Sequence, residues 1–259
     1  MTKILHPNGF SLELARKLGG LSKVVYYDEP RFTFEDVLVQ DVQLDIRAVI
    51  YDFKDHTSIA FRGTVDLENW LLNFKVFKRA LACGVMVHDG FLQAADALLP
   101  RIIHALLPAG ADKSKLKPIH ITGHSLGGAL ASLVALFLQR EGWPVASVYT
   151  FASPRVGNAA WRKTYMEALG EKSYRVIAEG DLVPLLPGVL DSYRHVGQEI
   201  MLLRDGSVYA CPPHWWELLR DTFTVTRALW KGDTQAITRL HSINADYLRL
   251  INLAFQRQA

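Results

Sequence analysis

Apolar positions along the chain switch repeatedly between a period of two and the spacing of a helix. Leu12, Ala15, Leu18, Leu21 and Val25 recur at helical intervals and predict a helix over 8–27, with Asn8 as its cap and Gly19-Gly20 weakening its middle. A polar segment runs from Asp28 to Asp41. Ile46 to Phe53 and Ser58 to Arg62 then read as strands joined by a hairpin-length loop, Lys54 to Thr57. Residues 66–81 carry a helical stripe (Leu67, Trp70, Leu71, Phe74, Phe77, Leu81) interleaved with Lys75, Lys78 and Arg79, and 91–107 form a second apolar helix with Pro100 as a kink. Pro118 to Thr122 is a strand, and Ala129 to Leu138 a helix rich in small residues. Val145 to Phe151 and Ser173 to Ala178 are strands on either side of a helix at 159–169. Glu199 to Arg204 and Ser207 to Ala210 pair as a hairpin over Asp205-Gly206. An aromatic-rich segment, 212–240, precedes a last helix holding Tyr247, Leu248, Leu250, Ile251 and Leu253.

Strands alternating with helices predict an α/β fold: a mostly parallel central sheet with helices on both faces. The 259 residues suffice for one such unit, and the pattern offers no boundary, so 1–259 is expected to be a single domain. Charge changes the picture only by exclusion. A net charge of +3 is too diffuse to point to nucleic acid. The longest apolar run, Leu126 to Leu138, is too short to span a bilayer, and the N-terminus has no apolar core of signal-peptide length. A soluble protein is expected, cytoplasmic or exported without a cleaved leader. Cys83 and Cys211 make no disulfide framework and are expected as free thiols.

The chemistry centres on Gly123-His124-Ser125-Leu126-Gly127-Gly128, set between a strand and a helix. Gly-x-Ser-x-Gly in that context is a nucleophile elbow. The turn holds the Ser125 hydroxyl clear of the backbone, and side chains two positions away on either side would collide, so Gly123 and Gly127 are required. The Leu126 N–H then starts the following helix, where it can donate to a developing oxyanion. Thr64, at the end of the strand through Phe61-Arg62-Gly63, is the candidate for the other donor. Where an elbow carries the nucleophile, the acid and then the base follow it in the chain. That order leaves His195, His214 and His241 of the nine histidines. His241 is favoured because it lies at a break between helical patterns. Asp181 is favoured as the acid because it follows a strand after the nucleophile's, with Glu179 and Asp191 weaker.

Five stretches in this order resemble the class 3 lipases, the fungal-type triacylglycerol lipases of the α/β-hydrolase fold. They are Phe61 to Thr64, Val87-His88-Asp89-Gly90-Phe91, Gly123 to Gly128, Thr150 to Asn158, and Asp181 to Pro187; Tyr193 to Ile200 and His241 with Tyr247-Leu248 add support. The resemblance covers roughly residues 10–250. It implies Ser125 as nucleophile, Asp181 as acid, His241 as base, an oxyanion hole from Thr64 and Leu126, and a lid within 65–87; His195 falls in a stretch that is structural in the family. The secreted fungal members carry a signal peptide and several disulfides, which this chain does not.

The expected activity is hydrolysis of a lipid ester, such as an acylglycerol, at a lipid–water interface through an acyl-enzyme. A phospholipase A1 and a short-chain esterase are the alternatives, and a non-catalytic lipid-binding fold a more remote one. No metal or cofactor is called for. The stripe at 66–81 reads either as a surface helix packed on the core or as the mobile lid, and 212–240 either as core or as the wall of an acyl-chain site. Oligomeric state is not legible.

Overall fold

The computed structural model describes residues 9–27, 36–68, 77–107, 112–188, 192–210 and 240–258, with 235 and 238 between the last two stretches. Its strands are β1 (Val37–Asp41), β2 (Ile46–Asp52), β3 (Thr57–Phe61), β4 (Lys78–Ala80), β5 (Met86–His88), β6 (Ile119–His124), β7 (Val145–Phe151), β8 (Ser173–Ala178), β9 (Gln198–Leu202) and β10 (Val208–Ala210). The helices are α1 (Leu12–Val24), α2 (Asp89–Leu106), α3 (Leu126–Arg140), α4 (Ala159–Leu169), a π-helical turn at Ile243–Leu248, and α5 (Arg249–Gln258). Eight strands form one sheet in the order β1-β2-β3-β6-β7-β8-β9-β10, and β4 pairs with β5 in a separate ribbon. From β3 to β9 the sheet pairings are parallel; β1-β2, β2-β3 and β9-β10 are antiparallel.

Both faces of the sheet are buried, as the alternation along β2 shows. Ile46, Ala48 and Ile50 join the core packed by α2, α3 and α4, while Val49 and Tyr51 point to the other side with Val25 and Ala60. That other side is covered by α1, the π-turn and α5, around Leu18, Phe151, Tyr247 and Ile251. A Cβ on Gly19 would lie 3.0 Å from the Leu248 side chain and 3.3 Å from the Phe151 ring. The glycine thus lets α1 approach β7 and the C-terminal turn closely, and its cost to helix propensity is offset by that packing.

The strand register sets up the site. Phe61 of β3 pairs with Gly123 of β6, His124 with Phe151 of β7, and Phe151 with Val176 of β8. The carboxyl ends of four parallel strands therefore fall in one row, and the residues just past each end meet there, where open α/β sheets bind ligands.

Three sequence expectations need correction. The segment Asp28 to Asp41 is not polar connection throughout: Val37–Asp41 is an edge strand whose burial pattern leaves only Val39 fully inside. An edge strand has one neighbour and can show both faces to solvent, which blurs the alternation. Helix α1 begins later than expected, and its cap is Ser11, whose hydroxyl accepts from the Leu14 N–H at 3.1 Å; Asn8 lies outside the described residues. The stripe over 66–81 does not continue as helix to its end, since Lys78–Ala80 pairs with Met86–His88. Residues 69–76, like most of 212–240, lie outside the described residues. Among the described residues, no helix is long and apolar enough to cross a membrane.

Candidate active site

Strand β6 ends at His124, and Ser125 turns into α3 with φ 58° and ψ −129°. Positive φ costs a residue with a Cβ on the order of 1–3 kcal/mol, so the surroundings must hold it. They do: the Ser125 N–H donates to the Phe151 carbonyl at 2.9 Å, and the Gly128 N–H to the Ser125 carbonyl at 2.9 Å. The flanking glycines are steric necessities. A Cβ on Gly123 would stand 2.1 Å from the Gly127 oxygen, and one on Gly127 would stand 2.3 Å from the Phe61 oxygen. The second contact also presses the elbow against the end of β3. A Cβ on Gly63 would lie 2.6 Å from the His124 oxygen and 3.1 Å from the Ser125 Cβ. Thr64, next in the chain, is thereby placed beside the elbow, and the Leu126 N–H is at the first position of α3, where the helix makes no use of it.

Asp181 follows β8 in a tight turn closed by its own N–H on the Ala178 carbonyl at 3.1 Å. Its carboxylate has no exposed surface and is fully engaged. His241 Nδ1 lies 3.1 Å from Oδ1 and 2.9 Å from Oδ2, the Val183 N–H donates to Oδ1 at 3.0 Å, and the Tyr247 hydroxyl donates to Oδ2 at 2.6 Å. Burial first, and then the Asp181 charge, push the Tyr247 phenol well above its usual range, so it remains a donor. An ionised carboxylate only accepts, so the Asp181–His241 contact places the proton on Nδ1 and leaves the Nε2 lone pair free.

Three buried polar atoms here have no hydrogen-bond partner among the described residues: Ser125 Oγ, His241 Nε2 and Thr64 Oγ1. No hydrogen bond joins Ser125 Oγ to His241 Nε2 in this arrangement. Unsatisfied buried polar groups cost about 1–3 kcal/mol each. Three of them fall on residues that the fold brings to one place, where a bound ligand would supply partners for them.

Two of the other sequence candidates, Glu179 and His195, make their contacts elsewhere. Glu179 accepts from the Arg204 N–H at 3.0 Å at the β9–β10 hairpin. His195 hydrogen-bonds the Pro184 carbonyl; burial, then the Arg175 and Arg155 charges, hold its pKa well below the usual value. Asp191 and His214 lie outside the described residues. Cys83 is a free, exposed thiol, and Cys211 lies outside the described residues. Among the described residues no group of three His, Cys, Asp or Glu side chains is placed to hold a metal ion.

Two neighbours escaped the sequence reading. His124 Nε2 is 2.8 Å from the His241 carbonyl oxygen, and His124 Nδ1 is 2.9 Å from the Tyr26 hydroxyl. Nothing in the spacing singles out Tyr26, which sits two residues past the end of α1 and far from His241 in the chain.

Comparison with known proteins agrees with this geometry. The family model described as Lipase (class 3) matches residues 58–190, just over half of the chain. Secreted mono- and diacylglycerol lipase 1 of Fusarium solani is 36% identical over 146 residues, 56% of this chain and 43% of that protein. The chloroplastic phospholipase A1-Igamma2 of Arabidopsis thaliana is 30% identical over 203 residues, 60% of this chain and 38% of that protein. The chain thus spans less than half the length of these curated relatives. Lipase II of Rhizopus niveus has a similar structure, with a TM-score of 0.66 at 19% identity, covering 78% of this chain and 84% of that one; this likeness speaks to the fold, an α/β-hydrolase sheet. The matched segment opens on β3, takes in the elbow and Asp181, and ends before His241; it covers just over half of the sequence, and the chain belongs to the class 3 lipase family.

Proposed function

We propose that the chain hydrolyses carboxylic esters of acylglycerols through an acyl-enzyme on Ser125, with His241 as base and Asp181 as the acid that orients it. The observation that carries this reading is the pairing of His241 Nδ1 with Asp181 beside three buried polar atoms left without partners. Each of those atoms has a task. Ser125 Oγ attacks the ester carbonyl carbon while His241 Nε2 takes its proton. The Leu126 N–H and the Thr64 N–H and hydroxyl donate to the carbonyl oxygen as it becomes an oxyanion. The C–O bond to the alcohol breaks, and His241 returns the proton to the departing oxygen. Water then attacks the acyl carbon, gives a proton to His241, and releases the carboxylic acid as Ser125 regains its hydrogen.

The apolar cluster that follows Asp181 supports a greasy acyl group. Leu67, Leu182 and Leu185 pack around Val183 and Leu186, and Leu67 lies within the proposed lid. Val65 and Phe77, both within 65–87, are 66% and 68% exposed, which suits a lid that meets lipid within a single domain. The Fusarium relative is named for mono- and diacylglycerols. Phospholipase A1 activity is the second reading, favoured by the longer match to the Arabidopsis relative.

A fluorophosphonate probe tests the nucleophile: wild type labels at Ser125 and Ser125→Ala does not. A folded wild type that takes no label sinks the reading. Turnover of monoolein, triolein emulsion and phosphatidylcholine vesicles then ranks the substrates, with acylglycerols expected first.

A further inference from the structure

We infer that Tyr26 and His124 are positioning residues, which join the end of β3, the elbow and the His241 loop into one directed chain of hydrogen bonds. The inference rests on the proposed roles of Ser125 and His241 and adds to them.

The direction of the chain follows from donor and acceptor chemistry. The His241 carbonyl oxygen can only accept, so the contact at 2.8 Å requires a proton on His124 Nε2. His124 is 4% exposed, and desolvation first, then the neighbouring His241, hold its pKa well below the usual value. The ring is therefore neutral, and Nδ1 carries a lone pair. That lone pair must accept from the Tyr26 hydroxyl at 2.9 Å. The Tyr26 oxygen in turn accepts from the Gly63 N–H, and burial pushes its phenol above the usual range, so its proton stays on. The one consistent arrangement runs from the Gly63 N–H to Tyr26, from Tyr26 to His124, and from His124 to the His241 carbonyl. The opposite tautomer would set the bare Nε2 lone pair against that oxygen.

The two ends of the chain and its His124 link touch the three parts of the site. Gly63 precedes Thr64 on the oxyanion strand, His124 precedes Ser125, and the His241 carbonyl belongs to the base itself. The His124 ring packs on the His241 ring with centroids 4.6 Å apart, and edge-on to Tyr26 and Tyr247. Asp181 fixes the imidazole from its Nδ1 side, and His124 fixes the backbone that carries the ring.

Kinetics on p-nitrophenyl butyrate, with melting temperatures and fluorophosphonate labelling, test this in wild type, Tyr26→Phe, His124→Gln and His124→Asn. A glutamine amide reaches where Nε2 stood and can still donate to the His241 carbonyl; asparagine stops short. Expected are a kcat about tenfold lower for Tyr26→Phe and His124→Gln, about a hundredfold lower for His124→Asn, and KM within about twofold throughout. A purely structural role would lower the melting temperature of the Gln and Asn variants without separating their kcat. Nitrogen-15 NMR of wild type, with the proton expected on His124 Nε2 from pH 7.5 to 5.5, is independent of any variant's folding. Equal kcat for Gln and Asn, an unchanged kcat for Tyr26→Phe, or a proton on Nδ1 overturns the inference. Wild type that neither labels nor turns over would instead overturn the site reading, and this inference with it.

Discussion

Replacing Tyr247 by Phe removes a single oxygen atom, and the structure sets what should follow. The Tyr247 side chain is fully buried, edge-on to Phe151 and His124, so the phenylalanine ring keeps its packing. What is lost is the hydroxyl bond to Asp181 Oδ2 at 2.6 Å, together with the hydroxyl's hydrogen bond with the Ala178 backbone. A hydrogen bond to a charged group contributes about 1.5–3 kcal/mol. This one is short, lies in a fully buried site, and leaves Oδ2 with the His241 contact at 2.9 Å. The expected loss of stability therefore falls in the upper half of that range, about 2–3 kcal/mol. In a chain of this size each kcal/mol moves the melting temperature by about 2–4 °C, so a fall of about 4–12 °C is expected.

Turnover should fall much less. Asp181 Oδ1 retains the Val183 N–H at 3.0 Å, and His241 Nδ1 still meets both oxygens. The imidazole keeps its tautomer, and kcat should drop by less than about tenfold, which is 1.4 kcal/mol of barrier. Asp181→Asn presents an amide that no longer fixes that tautomer and should cost about 10⁴-fold. Urea and thermal unfolding give the first quantity, and p-nitrophenyl butyrate hydrolysis the second. A Tyr247→Phe protein as stable as wild type within about 0.5 kcal/mol, or one whose kcat falls more than a hundredfold, would refute the assignment of the hydroxyl to holding the carboxylate.

Gly63→Ala places a methyl group 2.1 Å from the Tyr26 hydroxyl and 2.6 Å from the His124 carbonyl oxygen. The protein is expected to lose about 1–3 kcal/mol in urea unfolding and at least about a hundredfold in kcat, because the oxyanion strand must move off the elbow. Stability should also depend on pH through His124. Unfolded, it takes a proton near pH 6.5; folded, its pKa is lowered by burial, so below pH 6.5 the unfolded chain binds a proton that the native one does not. Stability is complete above that pH and falls by about 1.4 kcal/mol per unit below it, with His195 adding to the slope because burial lowers its pKa as well. Denaturation midpoints at pH 7.5, 6.5 and 5.5 that coincide would contradict both placements.

The interior strands were legible because each is a short, continuous apolar run between turn signals, which is what burial on both faces imposes. Ile46, Val145 and Ser173 open β2, β7 and β8 where the pattern places them. The edge strand β1 was not legible, since Val37 and Leu38 stay exposed and their alternation carries no message about a core. The end of the 66–81 stripe misled for a related reason. Lys78 to Ala80 is a three-residue strand in a two-stranded ribbon, held by pairing with Met86–His88 and by the Arg79–Asp89 ion pair at 2.6 Å, and three residues are too few to show any period. The π-helical turn at Ile243–Leu248 is equally invisible, because one extra residue in a turn shifts the register by less than the apolar spacing tolerates.

The site shows the same division between what backbone position encodes and what side-chain direction adds. Ser125, Asp181 and His241 could be chosen because each sits at a position the chain topology makes special: an elbow, a strand end, a break between helices. The rule of chain order that found His241 also discarded His124, the residue next to the serine. Alternation along β6 explains why that residue matters. With Gly123 empty of side chain and Ser125 turned toward the ligand, His124 projects to the face covered by α1 and the π-turn, where Tyr26, His241 and Tyr247 already stand. A histidine there is forced into contact with His241, and the only remaining question is which of its nitrogens carries the proton. The His241 carbonyl answers it. On the proposed reading, the elbow of this chain supplies more than its serine: His124 lies on the face from which His241 is held, and its hydrogen bonds orient His241 as the glycines orient the Ser125 hydroxyl.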